Sequence, residues 1–175
     1  MKIAITGHTS GIGLAVAEHL ATNHFIVGFS RTTGYDISTG QGINDIVAQC
    51  NDVDVIVNNA YRAFSQVDLL YALHAKLSDR KLLIINNSSQ SSDGIKKKPW
   101  IYSVHKAALD KASEQLSYQD TACKISNLRM GYVDIPRMAN ITQPKISTKS
   151  VCAAIDFIIS QWLAGHCVKE LTLLP

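Results

Sequence analysis

Paired cysteines are missing from this chain. Cys50, Cys123, Cys152 and Cys167 stand far apart, with no Cys-x-x-Cys spacing among them. That excludes a zinc ribbon or a disulfide framework, and the four read as small buried hydrophobes of a reducing compartment. A cytoplasmic location and no metal site are therefore expected. Charge of one sign is also scarce: 17 Lys+Arg against 14 Asp+Glu leave a net +3, spread along the sequence. So mild a balance gives no argument for a nucleic-acid partner. The longest apolar stretch, Val151 to Leu163, is broken by Asp156 and Gln161, and no basic segment precedes the first apolar run. Neither a signal peptide nor a membrane span is expected. No repeat, linker or low-complexity segment divides the 175 residues, which suffice for one domain over residues 1–175 with one sizeable core.

What is present is an alternation of short β-rich runs with helical ones. Strands are expected at Lys2–Thr6, Phe25–Ser30, Val53–Asn58, Leu82–Asn87, Lys124–Met130 and Lys169–Leu174, with a short one at Asp36-Ile37. Helices are expected from Gly11 to Asn23, near Gln41–Cys50, and over Phe64–Ser78, Trp100–Gln119 and Thr148–Leu163. In the first helix Ile12, Val16 and Leu20 form one stripe. Continuous apolar strands such as Val55-Ile56-Val57 and Leu82-Leu83-Ile84-Ile85 suit a parallel sheet buried on both faces. Alternating strands and helices imply right-handed crossovers and a doubly wound, three-layer α/β/α Rossmann-type fold.

Two motifs carry chemistry. Thr6-Gly7-His8-Thr9-Ser10-Gly11-Ile12-Gly13 follows the first strand and opens the first helix. Glycines there let the backbone turn with φ > 0 and bring N–H groups of Gly7, His8, Thr9, Ser10, Gly11, Ile12 and Gly13 against a pyrophosphate, at a helix N-terminus that favours negative charge. The second motif is Tyr102 with Lys106, one helical turn apart on one face. An ammonium beside a phenol of ordinary pKa about 10 favours the phenolate and makes the phenol an acid able to trade its proton. Ser88-Ser89 lies thirteen residues before Tyr102, and Asn58-Asn59-Ala60 ends a strand.

Taken together, the Thr-Gly-x-x-x-Gly-x-Gly turn, Asn58-Asn59-Ala60, Ser89, Tyr102 and Lys106 resemble the short-chain dehydrogenase/reductase family, in order and over nearly the whole chain. The resemblance implies strand order 3-2-1-4-5-6-7 and a nicotinamide cofactor lined by Gly7, Gly11 and Gly13, with Asn59 and Ala60 beside it. Asp36-Ile37 looks like the family's Asp-Val pair that meets the adenine. Gly131 and Val133, in Met130-Gly131-Tyr132-Val133-Asp134-Ile135, stand where the family has Pro-Gly-x-Val-x-Thr, with Val133 meeting the carboxamide; Met130 and Ile135 depart from that pattern. NAD-dependent members place a carboxylate after the second strand. Here Ser30-Arg31-Thr32-Thr33 offers a guanidinium and hydroxyls, so NADP(H) is expected over NAD(H); Arg31 as a plain surface residue is the alternative.

The implied reaction is reversible hydride transfer between nicotinamide and a carbonyl or alcohol substrate. Tyr102 is the proton donor and Ser89 steadies the substrate oxygen. Lys106 binds the nicotinamide ribose and holds the phenol's pKa down. Ser88 is the companion that bonds to backbone. The family's relay asparagine aligns with Asp68, which either does a modified job or faces solvent. Lys96-Lys97-Lys98 either draws an anionic substrate or acidic carrier to the pocket rim or is a solvated run. Trp100 and Tyr132 either line the pocket or pack, and His105 is structural or at an interface. Helices are missing after the second strand and after Ala60, and only nine residues separate Met138 from Thr148. An open pocket with weak selectivity, or one completed by a second subunit, is expected. A homodimer or homotetramer through the Phe64–Ser78 and Trp100–Gln119 helices follows from the resemblance. The competing reading is a nucleotide-binding regulatory or scaffold protein without useful catalysis.

Overall fold

A computed structural model describes residues 1–95 and 97–175. Six strands, β1 (Lys2–Thr6), β2 (Phe25–Phe29), β3 (Val55–Asn58), β4 (Leu83–Ser89), β5 (Lys124–Met130) and β6 (Glu170–Leu173), form one sheet. Its order is β2-β1-β3-β4-β5-β6, with every pair parallel. This is the expected doubly wound order without its outermost strand. Asp36-Ile37 forms no strand: the Asp36 carboxylate accepts from the Ser38 N–H at 2.9 Å and the Ser38 hydroxyl at 2.7 Å. That turn leads straight into the next helix, whose first glycine on the packed face, Gly42, has no room for a Cβ against the Asp36 carbonyl. Local side-chain bonding of this kind competes with strand pairing.

The crossovers are α1 (Gly11–Leu20), α2 (Gly40–Gln49), α3 (Ser65–Leu77), α4 (Ile101–Ser117) and α5 (Thr148–Leu163). Helices α1 and α5 cover one face, where Val16, Leu20, Ile155 and Trp162 pack on Ile3, Ile5, Val57 and Ile85. Helices α2, α3 and α4 cover the other, with Ile46, Leu69, Leu73 and Leu109 on Ala4, Ile56 and Ile84. Burial on both faces is why these strands read as unbroken apolar runs. Among the described residues no helix is long and apolar enough to cross a membrane. All four thiols are free; Cys50, Cys123 and Cys152 are buried as expected, whereas Cys167 is exposed beyond the end of α5.

One row of the sheet breaks the apolar pattern. Asn58, Asn86 and Asn127 stand in register on β3, β4 and β5 and are buried. Asn58 donates to Asn86 at 2.9 Å, and Asn86 donates to Asn127 at 3.3 Å and to the Ser113 hydroxyl at 3.0 Å. Slipping any of these strands by one residue would bury amides without partners, so the row fixes register at the end of the sheet where the glycine turn sits.

The link from β3 to α3 is short. Ala63 within it adopts φ 48, in the left-handed region that disfavours a side chain.

Candidate active site

The C-terminal ends of β1, β3 and β4 are tied into one platform. The Thr6 hydroxyl accepts from the Asn59 and Ala60 N–H groups, each at 2.9 Å. Asn59 donates to the Thr6 carbonyl at 2.9 Å and accepts from Asn87 at 2.9 Å. Over this platform the chain turns through Gly7 (φ 72) and Gly11 (φ 56) into α1. A Cβ on Gly13 would lie 2.1 Å from the Gly7 carbonyl oxygen, so the helix approaches the turn as closely as backbone allows. Ser10, before the first helical residue, makes no side-chain cap, and the first turn of α1 carries no acid. The Gly7 N–H is spent on the Phe29 carbonyl at 2.7 Å, so the first N–H groups of α1 are the ones left for an anion. Ile135 lies 3.5 Å from where a Cβ of Gly11 would stand, so the segment after β5 closes over the turn.

At the end of β2, Arg31 begins a 3-10 turn, Arg31–Thr33, and is exposed. The Thr32 hydroxyl reaches Thr9 at 3.4 Å, joining this turn to the glycine turn. The His8 ring fills the space above Gly28, where a Cβ would lie 2.4 Å away, and its buried Nδ1 has no partner. Asp36 is occupied by Ser38, which holds its carboxyl below the usual range. Arg31, Thr32 and His8 thus stand around the end of β2, with the Asp36 carboxylate engaged by Ser38.

At the other end, α4 places Tyr102 and Lys106 beneath the mouth of the sheet. The Lys106 ammonium is buried, donating to Gln66 Oε1 at 2.6 Å and to the Asn87 carbonyl at 2.7 Å. Burial lowers its pKa to about 7, opposed by Asp110 and aided by Arg137. Tyr102 is raised above the ordinary phenol range by burial, with the Ser89 side chain pulling it down, Tyr61 adding to the rise and Arg137 opposing it. The expected acidification of the phenol by Lys106 is therefore not what the structure shows. Both groups are desolvated, and desolvation disfavours the charged form of each. Lys106 Nζ lies 5.6 Å from the centre of the Tyr102 ring and 5.3 Å from that of Tyr61.

Ser89 sits at the end of β4, accepting from the Ser91 hydroxyl at 2.7 Å and donating to the Met130 carbonyl at 3.3 Å. Ser88 donates at 2.5 Å to the Asp110 carboxylate, where a backbone partner was expected. Asp110 in turn faces Arg129, which also pairs with Asp93 and Glu170.

Asp68, aligned with the relay asparagine, is exposed on the outer face of α3 and belongs to no site. The residue that reaches Lys106 is Gln66, two positions earlier and on the opposite side of the helix. It also donates to the Asn58 carbonyl at 2.8 Å, while its own carbonyl accepts from Asn58 at 3.0 Å. A readable signal existed: Gln66 falls on the apolar stripe of Leu69, Leu70, Leu73 and Leu77, where a polar side chain needs a buried partner. Tyr61 is the other residue the sequence did not single out. Its hydroxyl bonds to His105 Nδ1 at 2.7 Å, and its ring stands edge-on to Tyr102 at 5.0 Å. His105 is thus a structural partner.

Above these groups opens a cleft of about 830 Å³. Tyr61, Trp100, Tyr102 and Tyr132 line it with Met130 and Arg137, and the short segment after Met138 forms one side through Gln143 and Pro144. Gly131 and Val133 border it; Val133 is held by pairing with Ile146. Lys97 and Lys98 are exposed and do not line the cleft, and Lys96 lies outside the described residues.

Neither protein-family models nor curated proteins match this chain. Solved structures do. An alcohol dehydrogenase from the archaeon Thermococcus sibiricus, complexed with 5-hydroxy-NADP, superposes with a TM-score of 0.80 at 18% identity, over 99% of this chain and 96% of that one. A short-chain dehydrogenase from Burkholderia cenocepacia in complex with NADP gives 0.81 at 19% identity, covering 98% and 86%. A 7α-hydroxysteroid dehydrogenase with NADH and 7-oxo glycochenodeoxycholic acid gives 0.79 at 16% identity, covering 98% and 92%. The fold is that of the short-chain dehydrogenases/reductases.

Proposed function

We propose that this chain belongs to the short-chain dehydrogenase/reductase family and is an NADP(H)-dependent oxidoreductase acting on a carbonyl or secondary alcohol. The observation that carries this reading is the convergence of Ser89 and Tyr102 on one cleft that adjoins the open N-terminus of α1, with Lys106 buried 5.6 Å from the Tyr102 ring centre. The Gly7–Gly13 turn fits a pyrophosphate because the first turn of α1 has no side-chain cap and no acid. Arg31, Thr32 and His8 fit a 2′-phosphate, and Asn59, Ala60, Gly131, Val133 and Lys106 border the path from one end to the other. A nicotinamide dinucleotide held there supplies or accepts the hydride.

The protein's own groups handle the proton and the oxygen. As a new C–H bond forms at the carbonyl carbon, the π electron pair moves onto oxygen. The Tyr102 hydroxyl, kept protonated by burial at neutral pH, gives its proton to that oxygen. The Ser89 hydroxyl, whose own proton is engaged only by a long bond to the Met130 carbonyl while its oxygen accepts from Ser91, turns to donate to the same atom. Lys106, with a pKa of about 7, is poised to take or give a proton behind the phenol, and Gln66 fixes its position.

The test is NADPH oxidation over aldehydes, ketones, quinones and 3-oxoacyl thioesters, with Tyr102→Phe as control. The variant should lose on the order of 10²–10⁴ in turnover while keeping its affinity for NADPH. A Tyr102→Phe protein with the wild-type rate would remove the tyrosine from the mechanism. NADPH binding with no turnover of any carbonyl would favour a regulatory nucleotide-binding protein.

A further inference from the structure

Resting on that reading, we infer that the substrate is a carbonyl compound with a planar apolar body and a single negative charge, an aryl-substituted oxo acid whose carboxylate pairs with Arg137. The walls supply the first half of the argument. Tyr61 is fixed by its 2.7 Å bond to His105 and stands at 72° to the Tyr102 ring, while Trp100 flanks Tyr102 from 5.6 Å at 37°. Tyr132 and Met130 complete a slot of flat, polarisable surfaces beside the phenol that would hand over the proton. Such walls favour a flat apolar body over a polyhydroxylated one, which would leave its hydroxyls without partners.

Charge supplies the second half. Among the described residues, Arg137 is the one cation that lines the cleft, and no Asp or Glu lines it. Arg137 makes no ion pair and no side-chain hydrogen bond among the described residues. The neighbouring cations are engaged: Lys145 faces Asp134 at 3.8 Å, and Lys106 is held by Gln66 and the Asn87 carbonyl. The field of Arg137 reaches Tyr61, Tyr102 and Lys106, which places its charge on the reacting side of the cleft. Ile135, two residues earlier, is the side chain that packs toward the glycine turn. A lone guanidinium with no second donor cluster suits the two oxygens of a carboxylate. Reduction of such an acid by NADPH consumes one proton, delivered through Tyr102, and yields the hydroxy acid and NADP+.

The experiment compares phenylglyoxylate with its methyl ester as substrates of the wild type and of Arg137→Gln, with NADPH affinity measured by fluorescence for both proteins. The wild type should prefer the acid, and the acid-to-ester ratio of kcat/KM should fall on the order of 10–100-fold in the variant. NADPH affinity should stay within about twofold, as for a residue outside the cofactor cradle. A wild type indifferent to the charge, a ratio untouched by the substitution, or NADPH affinity lost with the arginine would each overturn the assignment. Should neither compound turn over although NADPH binds, turnover of other carbonyls shows that only the aryl oxo acid assignment fails, turnover of none shows that the oxidoreductase reading fails, and calorimetric titration of phenylglyoxylate into the NADP+-loaded protein decides the anion site separately. Binding that disappears in Arg137→Gln keeps the site; absence of binding overturns it.

Discussion

Lys106 shows how burial reshapes what a motif does. Its folded pKa of about 7 lies below the 10.5 of an unfolded lysine. Between those values the unfolded chain holds a proton that the folded chain has released. Folding therefore carries the full penalty below about pH 7 and is relieved of it as pH rises toward 10.5. Replacing Lys106 by Met removes this dependence. Thermal unfolding from pH 6 to 9 should show the wild type gaining stability relative to Lys106→Met with rising pH, and a difference independent of pH would contradict the buried, easily neutralised amine. At Arg31, substitution by Asp should weaken NADPH on the order of 10–100-fold and leave NADH little changed. Unchanged affinity for both cofactors in fluorescence titrations would make Arg31 a surface residue, and equal loss for both would remove it from recognition of the 2′-phosphate. Tyr102, Lys106 and Ser89 were legible from type and spacing. Gln66 was missed because a motif alignment counts positions, while the helix turns Asp68 outward and Gln66 inward; its place on the apolar stripe was the signal.

Among the elements, the strands and helices followed from hydrophobic period, and their boundaries moved by only a few residues. The exception is Asp36-Ile37, where a side-chain turn and the start of α2 replaced an edge strand. Ile37 is buried all the same, which is why the sequence read as a strand there. The buried asparagine row on β3, β4 and β5 also escaped the sequence, since it exists only once register brings the three together. The short β3–α3 link left its mark at Ala63. Glycine reaches φ 48 without a side-chain clash, so Ala63→Gly should stabilise the protein by up to about 1 kcal/mol, roughly 2–4 °C in Tm. A marked loss of stability in thermal unfolding would show that the methyl group packs usefully and that the link is unstrained.

The whole molecule carries an apolar surface that its own elements leave uncovered. Phe64 (44% exposed) and Tyr71 (43%) lie along α3, and Ile101 (63%) and Val104 (51%) along the start of α4. The two helices are joined by Tyr71 to Gln115 at 3.2 Å, and Asp68 stands on this same outer face. Exposed apolar side chains gathered in this way mark an interaction surface, and the homodimer or homotetramer expected from the sequence would pair these helices between copies. Sedimentation of Ile101→Glu/Val104→Lys should show a smaller species than the wild type; an unchanged species would move the interface elsewhere. The doubly wound sheet, the glycine turn and the Tyr102–Lys106 pair were legible because each depends on local pattern, whereas Tyr61 meets His105, and Arg137 reaches the cleft, only through the fold.

In the proposed reaction Tyr102 protonates the oxygen of a carbonyl that receives hydride from a bound dinucleotide. NADPH carrying deuterium at both C4 positions tests this, with the label followed into the alcohol by mass spectrometry. One deuterium on the carbinol carbon is expected with the wild type, and a rate lower by on the order of 10²–10⁴ with Tyr102→Phe. Alcohol formed without the label, or formed equally fast by both proteins, would contradict it.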